Sequence, residues 1–184
     1  METTEKIVEA YVRYVKRWFT ITNIRCPGQL EIDLLAIEAS NPDALRRYHI
    51  ETTVSISNTY SRLTTRPFSL QDLKTRVKQA GQRRTLGYFV ERKFGDPAVL
   101  AALRALGFLP GRYSKIIVSW GWDADVPVKA EAAGVELWDF REILKEVATT
   151  GRATGAYFTD DTMRTLQLMA LAMEDRGKKP PAGA

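Results

Sequence analysis

The chain of 184 residues contains one cysteine, Cys26, and one histidine, His49. A lone thiol cannot close a disulfide within the chain, so a buried core must carry the stability. No apolar run approaches the roughly eighteen residues that a membrane-spanning helix needs, and no charged-then-apolar leader opens the sequence. A soluble, cytoplasmic protein with no membrane partner is therefore expected. There is no internal repeat. Neither sign of charge dominates: 27 Lys and Arg stand against 22 Asp and Glu, a formal excess of +5. That excess permits a polyanionic partner without demanding one.

What is present is organised around two stretches. Leu30-Glu31-Ile32-Asp33-Leu34-Leu35-Ala36-Ile37 has the length and composition of a buried strand, yet it contains Asp33. Tyr48 to Ser57 reads as a second strand, with Tyr48, Ile50, Thr52, Val54 and Ile56 on one face and His49, Glu51, Thr53, Ser55 and Ser57 on the other. A carboxylate among apolar neighbours must find a partner or a metal, because desolvating it alone costs several kcal/mol or shifts its pKa toward neutrality. Asn41-Pro42-Asp43 marks a turn between the two strands, so a hairpin that brings Asp33 and Glu51 together is the simplest pairing. His49 shares the polar face, although a lone strand histidine is more often incidental.

Upstream, Thr4 to Phe19 has helical spacing, with Thr4 as a candidate N-cap. Glu5 lies on the inward face with Val8 and Val12. The acidic preference of a first helical turn explains it equally well. Glu9 and Arg13 form an ordinary surface pair on the opposite side. A short strand is expected over Phe19 to Ile24, and Pro27-Gly28 turns the chain into the first carboxylate strand.

Downstream, a polar loop carries Arg62 and Arg66, and a helix is expected from Ser69, where Asp72 has capping-box-like spacing. Lys74, Arg76, Lys78, Arg83 and Arg84 make the densest basic segment. Such a run is most often a solvated face and is also the form of a phosphate-gripping surface. Leu86 to Phe94 is ambiguous between strand and helix. Asp96-Pro97 opens a helix that Gly107 closes. Tyr113 to Trp120 and Val135 to Trp138 read as strands, alternating with helices over Val126 to Ala133 and Phe140 to Val147, which implies a parallel portion of sheet. Trp120 and Trp122 flank a glycine at a strand end, where anchoring a loop is the commoner use and stacking on a base the sharper one. The fold expected is α/β, with a central mixed sheet flanked by helices over residues 1–150. Gly151 to Gly155 reads as a linker to a helical extension over 151–177, capped by Asp160 and packed on the domain or mediating a homodimer. Residues 178–184 read as a disordered tail.

The first helix with its inward Glu5, the turn and strand from Gly28 to Ala36 with Asp33, and the strand bearing Glu51 resemble the PD-(D/E)XK phosphodiesterase superfamily, in its Holliday-junction-resolvase-like branch. The resemblance covers residues 4–57 in detail. It implies a restriction-endonuclease-like core and a metal-dependent endonuclease acting on DNA. It further implies Mg²⁺, with Mn²⁺ as a substitute, held by Asp33, Glu51 and the backbone carbonyl of Thr52, with Glu5 assisting. The departure is the motif lysine, whose place two residues after the glutamate is taken by Thr53. A hydroxyl brings no positive charge. Either a cation arrives from another element, with Lys74 first, Lys78 second and the loop arginines Arg62 and Arg66 after them, and Arg62, Arg66, Lys74, Lys78, Arg83 and Arg84 contacting the nucleic acid, or catalysis is lost. In the latter case the chain is a nucleic-acid-binding or protein-interaction module, or an assembly domain that self-associates through its last helix.

Overall fold

The computed structural model describes residues 2–41, 44–54, 62–153 and 158–174. Five strands form one mixed sheet in the order β1-β2-β3-β4-β5: β1 (Phe19–Cys26), β2 (Leu30–Glu38), β3 (Arg46–Thr53), β4 (Ser114–Ser119) and β5 (Val135–Asp139). β1–β2 and β2–β3 pair antiparallel, whereas β3–β4 and β4–β5 pair in parallel. The tight β1–β2 connection uses Gly28 at φ 77° and Gln29 at φ 60°, a left-handed pair that reverses the chain. The hairpin register pairs Leu34 with Ile50 and Leu35 with His49. Carried one residue further, it sets Asp33 beside Glu51.

Helices cover both faces. On one, α1 (Thr3–Ala10) continues into a π-helical turn over Tyr11–Val15, and it packs with α7 (Phe140–Ala153) and α8 (Asp161–Glu174) over Leu34, Ala36, Tyr48, Ile50, Ile116 and Val118. The other face carries α4 (Leu86–Tyr88) with a second π-helical turn over Phe89–Lys93, α5 (Pro97–Ala105) and α6 (Val126–Ala132), and the short α2 (Leu70–Leu73) and α3 (Arg76–Gln82) precede α4 in the chain. Phe89, Phe94, Val126 and Ala130 pack there on Ile117, while Val99, Leu103 and Phe108 cover Ile32 and Leu35. Among the described residues no helix is long and apolar enough to cross a membrane.

Several expectations shift. The first helix ends at Val15, and its N-cap is Glu2 rather than Thr4, which is buried; the Glu5 carboxylate accepts the Glu2 backbone N–H at 2.9 Å. The helix expected from Ser69 is broken at Lys74-Thr75 into α2 and α3, although Ser69 Oγ does accept the Asp72 N–H at 3.3 Å. Leu86 to Lys93 resolves as helix, since Thr85 Oγ1 caps its start by accepting the Tyr88 N–H at 3.1 Å. Residues 151–153, expected as linker, extend α7. Asp160 caps α8 through the Met163 N–H at 2.9 Å, and Met163 is fully buried in the first cluster, so α8 packs back on the sheet domain. Pro42-Asp43, Ser55, Ile56, Ser57, the second half of the expected linker and the tail lie outside the described residues.

Candidate functional site

β2 and β3 carry their two carboxylates into the interior. Asp33 is 8% exposed and Glu51 is 0% exposed, so neither is a solvated surface acid. The Asp33 Oδ2 oxygen accepts the Thr52 backbone N–H at 2.8 Å, which locks the acid against the edge of β3. Glu51 Oε1 lies 2.7 Å from His49 Nε2. Because His49 Nδ1 has no hydrogen-bond partner in its fully buried position, the imidazole proton sits on Nε2 and is donated to Glu51. Burial, with the nearby Lys93 charge, pushes the His49 pKa down to about 3, so the ring is a neutral donor that fixes the rotation of Glu51.

One cation reaches both acids. The Lys93 ammonium, at the end of the π-helical turn, lies 2.9 Å from Asp33 Oδ1 and 2.5 Å from Glu51 Oε2, and donates to the Glu31 carbonyl at 2.6 Å. Phe89 and Phe94, buried on either side of it in sequence, anchor the turn in the second cluster, and Phe94 meets the His49 ring edge-on at 4.8 Å between centroids. Gly95 lets the chain pass close over this turn, because a Cβ there would lie 2.7 Å from the Val90 carbonyl oxygen. The ammonium expected from Lys74 thus comes from Lys93. Lys74 caps the C-terminus of α2 and does not line the site, and Lys78 is bound to Asp72 at 3.0 Å.

The group opens to solvent through a cavity of about 300 Å³ lined by Glu5, Asp33, Thr52, Thr53, Arg83, Arg84 and Lys93, among others. The structure therefore brings Glu5, Asp33, Thr52 and Thr53 together and adds Arg83 and Arg84 from the basic segment. Arg62 lines a different cavity, and Arg66 lines neither. Glu5 serves both of its roles at once, as an acid of the first helical turn and as a wall of the site; burial raises its pKa.

Two acids share one ammonium. Burial, reinforced for Asp33 by the charge of Glu51, pushes each carboxylate pKa up to about 7 against the opposing pull of Lys93. Burial disfavours the Lys93 ammonium, but the two carboxylates outweigh it and hold the group charged. With all three ionised, one negative charge remains buried, which a proton or a further cation can relieve. The donors suit a hard cation: they are carboxylate oxygens, and Glu51 Oε2 is met by the Lys93 ammonium rather than by a directed hydrogen bond. Among the described residues no cluster of three or more His, Cys, Asp or Glu side chains is placed to hold a metal, so a bound ion would depend on backbone carbonyl or water ligands besides the pair.

No family model matches the chain. No curated protein matches it either. Among solved structures, it is similar to the crystal structure of a protein of unknown function, AF1548, with a TM-score of 0.40 and 12% identity over 93% of this chain and 97% of that one. A likeness of that degree settles neither a fold family nor a chemistry.

Proposed function

We propose that the chain is a metal-dependent nuclease that hydrolyses phosphodiester bonds in DNA, on a restriction-endonuclease-like core whose strand lysine has been replaced by Lys93 from a helix. The observation that supports this reading above the others is the single ammonium set between Asp33 and Glu51, beside the Thr53 position where the resemblance predicts a lysine. Asp33, Glu51 and the Thr52 carbonyl would hold Mg²⁺ or Mn²⁺, which when bound would make a water more acidic and offset charge on the phosphate. His49 keeps Glu51 in one rotamer. Glu5 and Thr53 can orient a water by hydrogen bonding. Lys93 supplies the positive charge that favours the pentavalent phosphate, and Arg83 and Arg84 at the rim offer forked donors to backbone phosphates.

The test is cleavage of plasmid and branched DNA with Mg²⁺ or Mn²⁺, comparing the native chain with Asp33→Asn and Lys93→Met. Divalent-dependent cutting that both substitutions abolish is expected; intact DNA at high protein concentration with both metals would overturn the reading. The observation favouring a non-catalytic nucleic-acid-binding module is that Lys93 already spans both acids and compensates them in part without a metal. Salt-sensitive retention of DNA without cleavage would select it.

A further inference from the structure

A second cavity, of about 520 Å³, opens at the C-terminal end of β4, lined by Arg62, Trp120, Gly121, Trp122 and Arg141. We infer that it is a stacking subsite for an unpaired nucleobase of the strand whose phosphodiester lies at the carboxylates; this deepens the nuclease reading and rests on it.

The position supports the link. Thr53, a wall of the carboxylate cavity, pairs in register with Ser119, and Trp120 is the first residue past the end of β4. With strands about 4.8 Å apart and a rise of about 3.3 Å per residue, the floor of the second cavity lies on the order of 10 Å from Thr53, a gap that an extended strand covers in a few nucleotides. Both sites open at the C-terminal ends of parallel strands, where open α/β sheets bind their ligands. A backbone ladder ties the two together. The Leu63 N–H donates to the Gly121 carbonyl at 2.9 Å, the Thr64 N–H to the Arg84 carbonyl at 2.9 Å, and the Leu86 N–H to the Thr64 carbonyl at 2.8 Å. Arg62 at one end and Arg84 at the other are thereby held on one frame.

The chemistry of the lining points to a base with its phosphate. Two half-buried indoles, Trp120 packed towards Phe140 and the first cluster and Trp122 towards the second, flank a glycine whose open side is empty: a Cβ on Gly121 would meet nothing within 4 Å. That leaves bare backbone as the floor between two aromatic walls. The Arg141 guanidinium is clamped on Asp139, with Nε 3.0 Å from Oδ1 and Nη2 2.5 Å from Oδ2, so its plane is fixed before any ligand arrives. A fixed guanidinium plane and indole faces are groups that stack on bases of any sequence, while exposed Arg62 can meet the phosphate. A duplex keeps its bases paired and stacked, so the ligand is a single-stranded or frayed segment.

Binding measured with the metal chelated separates this from cleavage. Fluorescence anisotropy would compare a labelled oligothymidine, an oligonucleotide of equal length carrying abasic sites, and a blunt duplex. On the unaltered protein the oligothymidine is expected to bind about tenfold more tightly than the abasic strand. Gly121→Val, whose Cβ enters open space above the floor, and Trp122→Ala should each reduce oligothymidine binding to the abasic level and leave the abasic strand unaffected. Equal affinity for oligothymidine and abasic strand, tighter binding of the duplex, binding of none of the three, or unchanged oligothymidine affinity in Gly121→Val would overturn the subsite. A base preference that persists in a protein unable to cut with either metal would remove the nuclease reading and leave the subsite standing.

Discussion

The β2–β3 hairpin carries acids at both of its ends, and the two ends are built differently. At the end nearer the turn, Glu38 is partly exposed and well supplied with donors: Tyr48 Oη donates at 2.7 Å, Ser40 Oγ at 2.9 Å, and Arg46 stands 4.0 Å away. The tyrosine hydrogen bond, then the serine, holds the Glu38 carboxyl below its ordinary pKa. At the other end Asp33 and Glu51 are enclosed, share one ammonium and are raised. The same strands thus show an acid placed for stability and an acid pair kept at a cost to it. Burial that raises both carboxyl groups is what the proposed site requires of its acids.

Lys93→Met should break this contrast most severely. It leaves two buried carboxylates without their cation, and a loss of about 3–5 kcal/mol in denaturant unfolding at neutral pH is expected. Much of that loss should return near pH 5, where the acids take up protons. The matching change at the other end, Arg46→Met, should stay within about 0.5 kcal/mol, because a surface pair contributes little.

Next in size is the pH dependence. A folded-state carboxyl pKa near 7 lies above the unfolded value near 4, so the folded protein holds more protons between the two. The acid pair therefore contributes most stability below pH 4 and loses it as pH rises toward 7. Neutral His49, depressed to about 3, acts the other way and loses stability as pH falls below about 6.5. Glu51→Gln should flatten the decline between pH 5 and 7 in thermal melts. A decline of unchanged steepness in that variant would show that the pair is not raised.

His49→Leu is smaller. It removes the donor to Glu51 Oε1 in a fully buried place, for a cost of about 1–3 kcal/mol by chemical denaturation. His49→Gln, which keeps an N–H donor, should recover part of it. Smaller again is Tyr48→Phe, which withdraws the hydroxyl from Glu38 where water can replace it. A loss under about 1 kcal/mol is expected, with the Glu38 carboxyl rising toward its ordinary range in an NMR titration.

Sequence reading located the acids because a carboxylate inside an apolar run has few explanations, and the hairpin followed from the turn between them. The alternation on β3 also separated Ile50 from Glu51 correctly. It could not tell that the polar side was enclosed: His49 and Glu51 read as solvent or site floor until α4 and its π-helical turn were placed over them. Lys93 was missed for a related reason. Leu86 to Phe94 supports either strand or helix, and the ammonium lies about sixty residues from Asp33 in the chain. The basic run that includes Lys74 and Lys78 is the denser local signal. What decides between them is the packing of Phe89 and Phe94, which no local pattern encodes. The Thr85 cap was the one local signal that would have favoured helix.

The wide turn over Phe89–Lys93 has a consequence for the chain as a coding sequence. A π-helical turn holds one residue more than the α-helical turn it replaces. Excising a single codon within it should return the stretch to regular winding with the flanking residues in nearly their original orientation, so position 93 would still face the acids. The same deletion in a regular helical stretch would swing everything beyond it by roughly 100° about the axis.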